Sequence, residues 1–298
     1  MKTVKYISAI GLAVIVLMQC KPNHKSTLTL DEAYLENLDQ TRKSLNERRI
    51  GYLELCGLFK MNPSGMALGL NAKNQVSIIS NQIVEPIGSF EWNGEIYVFT
   101  PDSQAKNINP DWKTTDSIAL PLNQLGNSEP VFYNSFGWRV ITRSGALYLR
   151  VWDKNNPAID AFKGFEYYKV NPNFIFDADF NYFETNKSES VESKLGPNDV
   201  TTFVGQLSFE YDGEIQTLDV GENGWIMVGD LTSGETTYGA GRYMYIDLPE
   251  GNSKVRLDFN NLYNPPCRYS EFTTCLFPPR QNILPFAITA GELLAFKK

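Results

Sequence analysis

The chain has 298 residues, 42% of them hydrophobic and 13% aromatic, enough to bury one large core or two smaller ones. Its 27 Lys and Arg against 34 Asp and Glu give a net charge of −7 with no basic stripe, which argues against nucleic acid and anionic head groups as partners. The single histidine, His24, lies near the N-terminus. A Ser-His-Asp triad, a histidine metal site and a histidine general base are therefore excluded from the folded body.

Lys2 and Lys5 precede an apolar run from Ile7 to Met18, too short to anchor in a bilayer and shaped like a secretory signal. Leu17, Met18, Gln19 and Cys20 resemble a bacterial lipobox, in which the cysteine becomes the acylated first residue. The competing reading is a short buried helix that starts the fold. The expectation is a signal peptide over residues 1–19, lipidation at Cys20 and a polar tether over 20–28, with the charge moving to about −9 once Lys2 and Lys5 are removed. Acyl chains contribute roughly 0.8 kcal/mol per buried methylene, so the membrane is a partner through Cys20. Lys21 in place of an aspartate, with no acidic run after it, points to the periplasmic face of the outer membrane.

Residues 29–50 predict one amphipathic helix. Thr29 and Glu32 have capping-box spacing, Asp31 and Glu32 suit the positive end of the helix dipole, and Gly51 stops the run. Tyr34, Leu35, Leu38 and Leu45 form the stripe that would pack on the body; a partner-binding helix is the alternative.

From Gly51 onward the segments are short, aromatic or β-branched, and mostly alternating, from YLELCGLF through to PFAITA. Asn93-Gly94, Ser144-Gly145 and Asp212-Gly213 read as hairpin turns. With no second long helical pattern, βαβ units are not expected. Tyr238-Gly-Ala-Gly-Arg242 lies between strands and opens no helix, so it reads as a turn, not a phosphate cradle. The fold class predicted is mainly β: one N-terminal amphipathic helix, then antiparallel β-sandwich or barrel-like sheets. DKNNPAIDAF interrupts the strand pattern and divides a β region over 51–155 from a C-terminal β domain over 156–298. The polar stretch at 185–199 reads as a mobile excursion between strands.

Two resemblances emerge. Gly69 and Asn74-Gln-Val-Ser-Ile78 loosely resemble forkhead-associated β-sandwiches, without the arginine and serine that grip phosphothreonine there, so phosphopeptide binding is not implied. FKGFEYYKV, YGAGRYMYIDLP, LDFNNLYNPPC, TC and PPRQNILPFAITAGE resemble a bacterial family known only as a domain of unknown function. That likeness extends in order from about Gly51 to Glu292, is dense from Gly221, and implies no activity.

The candidate site residues follow from their own chemistry. Cys267 and Cys275 enclose a short loop, and an oxidising compartment predicts a disulfide between them, with buried free thiols as the alternative. No histidine is at hand to complete a zinc site, so no metal or other cofactor is predicted. Cys56, alone in an apolar strand, reads as core. The proline pairs stiffen the cysteine loop, and Asn260, Asn264 and Asn282 are suited to tying such loops down. One reading is a structural knot. The other is a cleft formed by Glu235, Tyr238, Arg242, Asp258, Asn260, Tyr263 and Asn264, with aromatic walls and a few convergent polar groups.

Three functions fit these residues. The first is a non-catalytic binding module for a small ligand, a glycan or an envelope partner. The second is a hydrolase working through a carboxylate pair such as Glu235 and Asp258. The third is an envelope scaffold. No residue is assigned a catalytic role.

Overall fold

The computed structural model describes residues 30–108, 116–194 and 198–294. The expected signal peptide, tether, Cys20 and Thr29 lie outside the described residues. The predicted helix, α1 (Glu32–Ile50), is capped by Asp31, whose side chain accepts from the Tyr34 amide at 2.8 Å. Arg48 and Arg49 in its last turn suit the negative end of the dipole.

Its packing departs from the expected apolar stripe. Leu38 is buried, but Leu35 is 42% exposed. The same face is pinned instead by polar groups one or two turns apart. The Tyr34 hydroxyl donates to Asp258 at 2.9 Å, Arg42 Nη2 to the Asn260 carbonyl at 2.8 Å, and Arg49 Nη1 to Glu292 at 2.6 Å. The face fits helical spacing, yet its chemistry is hydrogen bonding to the far end of the chain.

The first β region is a sandwich of two antiparallel sheets. One is ordered β3-β2-β4-β5-β6, from β2 (Met66–Leu70), β3 (Val76–Ser77), β4 (Glu85–Trp92), β5 (Tyr97–Pro101) and β6 (Ile118–Leu120). The other is ordered β1-β9-β8-β7, from β1 (Leu55–Lys60), β7 (Val131–Tyr133), β8 (Phe136–Arg143) and β9 (Ala146–Asp153). Leu68, Ile87, Phe90 and Phe99 of one sheet meet Trp138, Val140 and Leu149 of the other in a single apolar cluster. Each such side chain contributes about 1.5–3 kcal/mol on burial. YLELCGLF is not all strand, because Gly51–Glu54 form a turn of 3-10 helix first.

The second region carries a four-stranded antiparallel sheet, β12-β11-β10-β15, from β10 (Ile175–Val191), β11 (Asp199–Tyr211), β12 (Glu214–Gly221) and β15 (Ser253–Asp258). A two-stranded sheet of β13 (Trp225–Val228) and β14 (Arg242–Tyr245) completes it. The second apolar cluster runs from Phe174 to Ala290 and shares no member with the first.

Two expectations fail here for physical reasons. The polar stretch after Thr185 continues as strand, with Lys187 opposite Phe203 and Val191 opposite Asp199. Its side chains up to Ser188 are exposed, so composition reads as loop while the backbone stays in the ladder as far as the buried Val191. PFAITA forms no strand. Its backbone is satisfied by buried side chains: the Ile288 amide donates to Asp230 at 3.1 Å, and the Ile288 carbonyl accepts from Arg242 at 3.0 Å. Both Ser144-Gly145 and Asp212-Gly213 take left-handed φ, and each joins consecutive antiparallel strands as predicted.

Candidate functional site

The signature residues of the C-terminal segment are brought together mainly as a buried polar network. Arg242 and Asp230 form an ion pair at 3.0 Å, and neither side chain has any solvent exposure. Its Nη1 and Nη2 groups also reach the carbonyls of Ile288, Ala290 and Glu292, while Nε is buried without a partner. Asp230 also accepts from the Thr232 amide and hydroxyl and from the Ile288 amide. Arg242, expected in a cleft, is therefore a clamp between β14 and the C-terminal loop.

Glu292 is the second anchor. It accepts from Arg49, from the Asn264 amide at 2.9 Å and from the Tyr269 hydroxyl. Gly291 before it has φ +76°, and a Cβ there would lie 2.6 Å from the Leu262 Cβ. That explains the terminal Ala-Gly-Glu: only glycine fits the approach that delivers the glutamate. Asn282 bonds the Asp219 amide and carbonyl and the Met227 carbonyl, tying β12 to β13. Asn260 ties to the backbone of Asn171 and to Asp258.

The expected cleft thus does not form as one site. Asp258, Asn260 and Asn264 are buried in these bonds, and Glu235 is exposed on a turn. Neither Glu235 nor Asp258 lines any of the three cavities described below, so the carboxylate pair is not brought to a shared cavity. Tyr238 donates to the Cys267 carbonyl at 3.1 Å and borders a cavity of about 590 Å³ beside Gly241 and Pro278. The disulfide is not formed either. Cys267 and Cys275 are buried free thiols, with the Cys267 amide donating to Cys275 Sγ at 2.9 Å. The Cys275 sulfur and then Tyr238 and Lys194 hold the Cys267 thiol down against burial, while Cys275 is pushed above the ordinary thiol range. Cys56, also free, is pushed up to about 12 by burial.

Of the expected residues, Tyr263 alone faces a cavity of about 670 Å³ between α1 and the second β region, the largest of the three. Thr41, Arg42, Leu45, Arg48 and Arg49 form its helical wall. Tyr52, Tyr167, Tyr243, Tyr245, Tyr263 and Trp225 supply aromatic faces, and no carboxylate lines it. Alternation on β14 explains part of this: Met244 faces the core while Tyr243 and Tyr245 face the cavity. Trp225 and Tyr243 pack edge to face at 5.0 Å, as do Tyr243 and Tyr263 at 6.2 Å, which fixes the rings. Arg42 lies 4.1 Å over the Tyr167 ring. Burial holds the Tyr243 and Tyr263 hydroxyls well above the ordinary tyrosine range, so both stay neutral donors.

Sequence reasoning named one of these aromatics and none of the arginines. The signal present was Arg42 and Arg49 at i, i+7 on the helix face that docks, together with the YMY alternation. Arginine on a docking face marks either a buried partner or an anionic one. Arg49 has the first, in Glu292.

The family model described as Protein of unknown function (DUF1684) matches residues 160–293, the part of the chain where the resemblance is densest. A solution NMR structure of an uncharacterised protein from Haloarcula marismortui is 30% identical over 47% of this chain and 80% of that chain, with a TM-score of 0.40. No curated protein matches. Through residues 160–293 the chain belongs to the family of proteins of unknown function termed DUF1684.

Proposed function

We propose that the protein is a lipid-anchored envelope module, held through Cys20 at the periplasmic face of the outer membrane, that binds a small ring-bearing ligand in the aromatic cavity under α1. One observation carries the reading: a cavity of about 670 Å³ walled by one tryptophan, five tyrosines and three arginines, with no carboxylate among its lining residues. Rigid aromatic walls with a few polar groups are what small-molecule sites need, and a volume of several hundred Å³ suits them. Neutral tyrosine hydroxyls and guanidiniums donate hydrogen bonds but leave no general base positioned at the cavity. That favours retention of a ligand over its conversion.

The test is a fluorescence titration of the full chain with N-phenyl-1-naphthylamine, a neutral ring probe. The expected result is saturable one-site enhancement, lost in Thr41→Trp, which adds an indole from the exposed rim of the cavity. No saturable enhancement in the unmodified chain would end the reading.

A further inference from the structure

Beside the aromatic cavity lies a second, of about 360 Å³, built on the β8–β9 hairpin and the end of α1. Arg48, Arg139, Arg143 and Arg150 line it, with Glu54 the one carboxylate. Among the described residues, no carboxylate stands within ion-pair distance of any of the four. Arg150 Nε is buried without a hydrogen-bond partner, as are those of Arg42, Arg49 and Arg242, but Arg150 lacks the carboxylate that Arg49 and Arg242 each have.

The hairpin register makes this arrangement costly. Arg139 stands directly opposite Arg150, a like-charge cross-strand pair that destabilises a sheet. Arg143 lies on the same face as Arg139 by alternation. Burial, then the charges of Arg143 and Arg139, pull the Arg150 guanidinium down to about 10. One stacking contact, Arg139 over Trp152 at 5.6 Å, offsets part of this for Arg139 and none of it for Arg150. A chain of net charge −7 has ample carboxylate, yet Glu54 is the one carboxylate at this cavity and it makes no ion pair with the cluster. A missing countercharge at a partly desolvated cluster is the arrangement of an anion site awaiting its anion. Guanidiniums match carboxylate and phosphate oxygens bidentately, and four of them at one cavity suit the greater charge of a phosphate group.

Arg48 and Tyr52 line both cavities, so the two adjoin at the end of α1. Resting on the binding reading above, we infer that the arginine cavity seats the phosphate group of a ligand whose ring occupies the aromatic cavity. The ligand class is a phosphate monoester or diphosphate, drawn either from a soluble ester or from a lipid head group.

Calorimetric titration of the full chain with inorganic pyrophosphate tests this. The unmodified chain is expected to bind, and Arg48→Glu and Arg143→Glu are each expected to weaken binding about tenfold or more, the size of one charge-assisted hydrogen bond. Lys254→Glu, at an exposed surface pair with Asp179, is the control and leaves the affinity unchanged. Displacement by glucose 1-phosphate would support the site and identify a soluble source; displacement by dihexanoyl phosphatidic acid would support it and identify a lipid one. Absence of pyrophosphate binding, or binding unaltered in Arg143→Glu, would overturn the inference. Arg143 does not line the aromatic cavity. The neutral probe therefore reports separately, and its one-site signal persisting in Arg143→Glu would show that the binding reading survives the loss of the phosphate seat.

Discussion

Arginine is handled in opposite ways in the two halves of this molecule. Against the second β region Arg242 of β14 and Arg49 of α1 are almost wholly removed from water, and each has a carboxylate plus several further acceptors. Against the first sandwich, Arg48 at the end of α1 and three arginines of the β8–β9 hairpin converge with no carboxylate within ion-pair distance, and two of them oppose each other across the hairpin. A buried charge that is fully paired marks architecture, and removing one partner leaves the other uncompensated. A charge cluster left unpaired at a cavity marks a site whose partner is not part of the chain. Net charge hid this difference, since a total of −7 is compatible with a local positive trough.

The contrast can be broken by substitutions of opposite sign. Arg242→Leu strands Asp230 in an unexposed core and is expected to cost about 3–5 kcal/mol, read as a lowered denaturant midpoint in the folded chain or its complete loss. Glu292→Gln keeps the shape but removes the charge that Arg49 faces. It is expected to cost about 2–3 kcal/mol and to raise hydrogen exchange along α1 more than in the sandwich. Arg150→Leu removes one member of the like-charge pair and is expected to raise stability by up to about 1 kcal/mol by the same denaturation measurement. Tyr34→Phe deletes one hydroxyl bond to Asp258 and is expected to cost about 1 kcal/mol.

A pH titration sharpens the same contrast. Tyr34, Tyr243, Tyr263 and Tyr269 are held above the ordinary tyrosine value chiefly by burial. A raised folded-state value means stability that is complete below the unfolded value near 10 and is lost as pH rises beyond it. Denaturant midpoints are therefore expected to fall steeply above pH about 10, with the phenolate absorbance of these four tyrosines appearing together with unfolding and not before it.

Local structure was largely legible in the residues. The predicted helix is real and stops at Gly51, though Asp31 caps it where the capping box pointed to Thr29; the Ser-Gly and Asp-Gly dipeptides turn real hairpins, and β-branched alternation marks most strands. PFAITA misled because strand composition does not reveal that Asp230 and Arg242 take the backbone groups a neighbouring strand would need. The polar end of β10 misled for the converse reason: an exposed strand face can be wholly polar. The site was less legible because its contacts span the chain. Tyr34 meets Asp258, and Arg49 meets Glu292, across more than 200 residues, so no window of sequence contains both partners. Arg242 looked like a cleft residue because an arginine among glycines and aromatics gives no local sign of whether it points to solvent or into the core.

The central claim is that paired arginines hold this fold while the unpaired ones wait for an anion. Its most direct test is thermal unfolding of the unmodified chain and of Arg143→Glu, each with and without inorganic pyrophosphate. The account predicts that pyrophosphate raises the transition temperature of the unmodified chain through linkage and leaves that of Arg143→Glu unmoved. An equal response in both, or none in either, would contradict it.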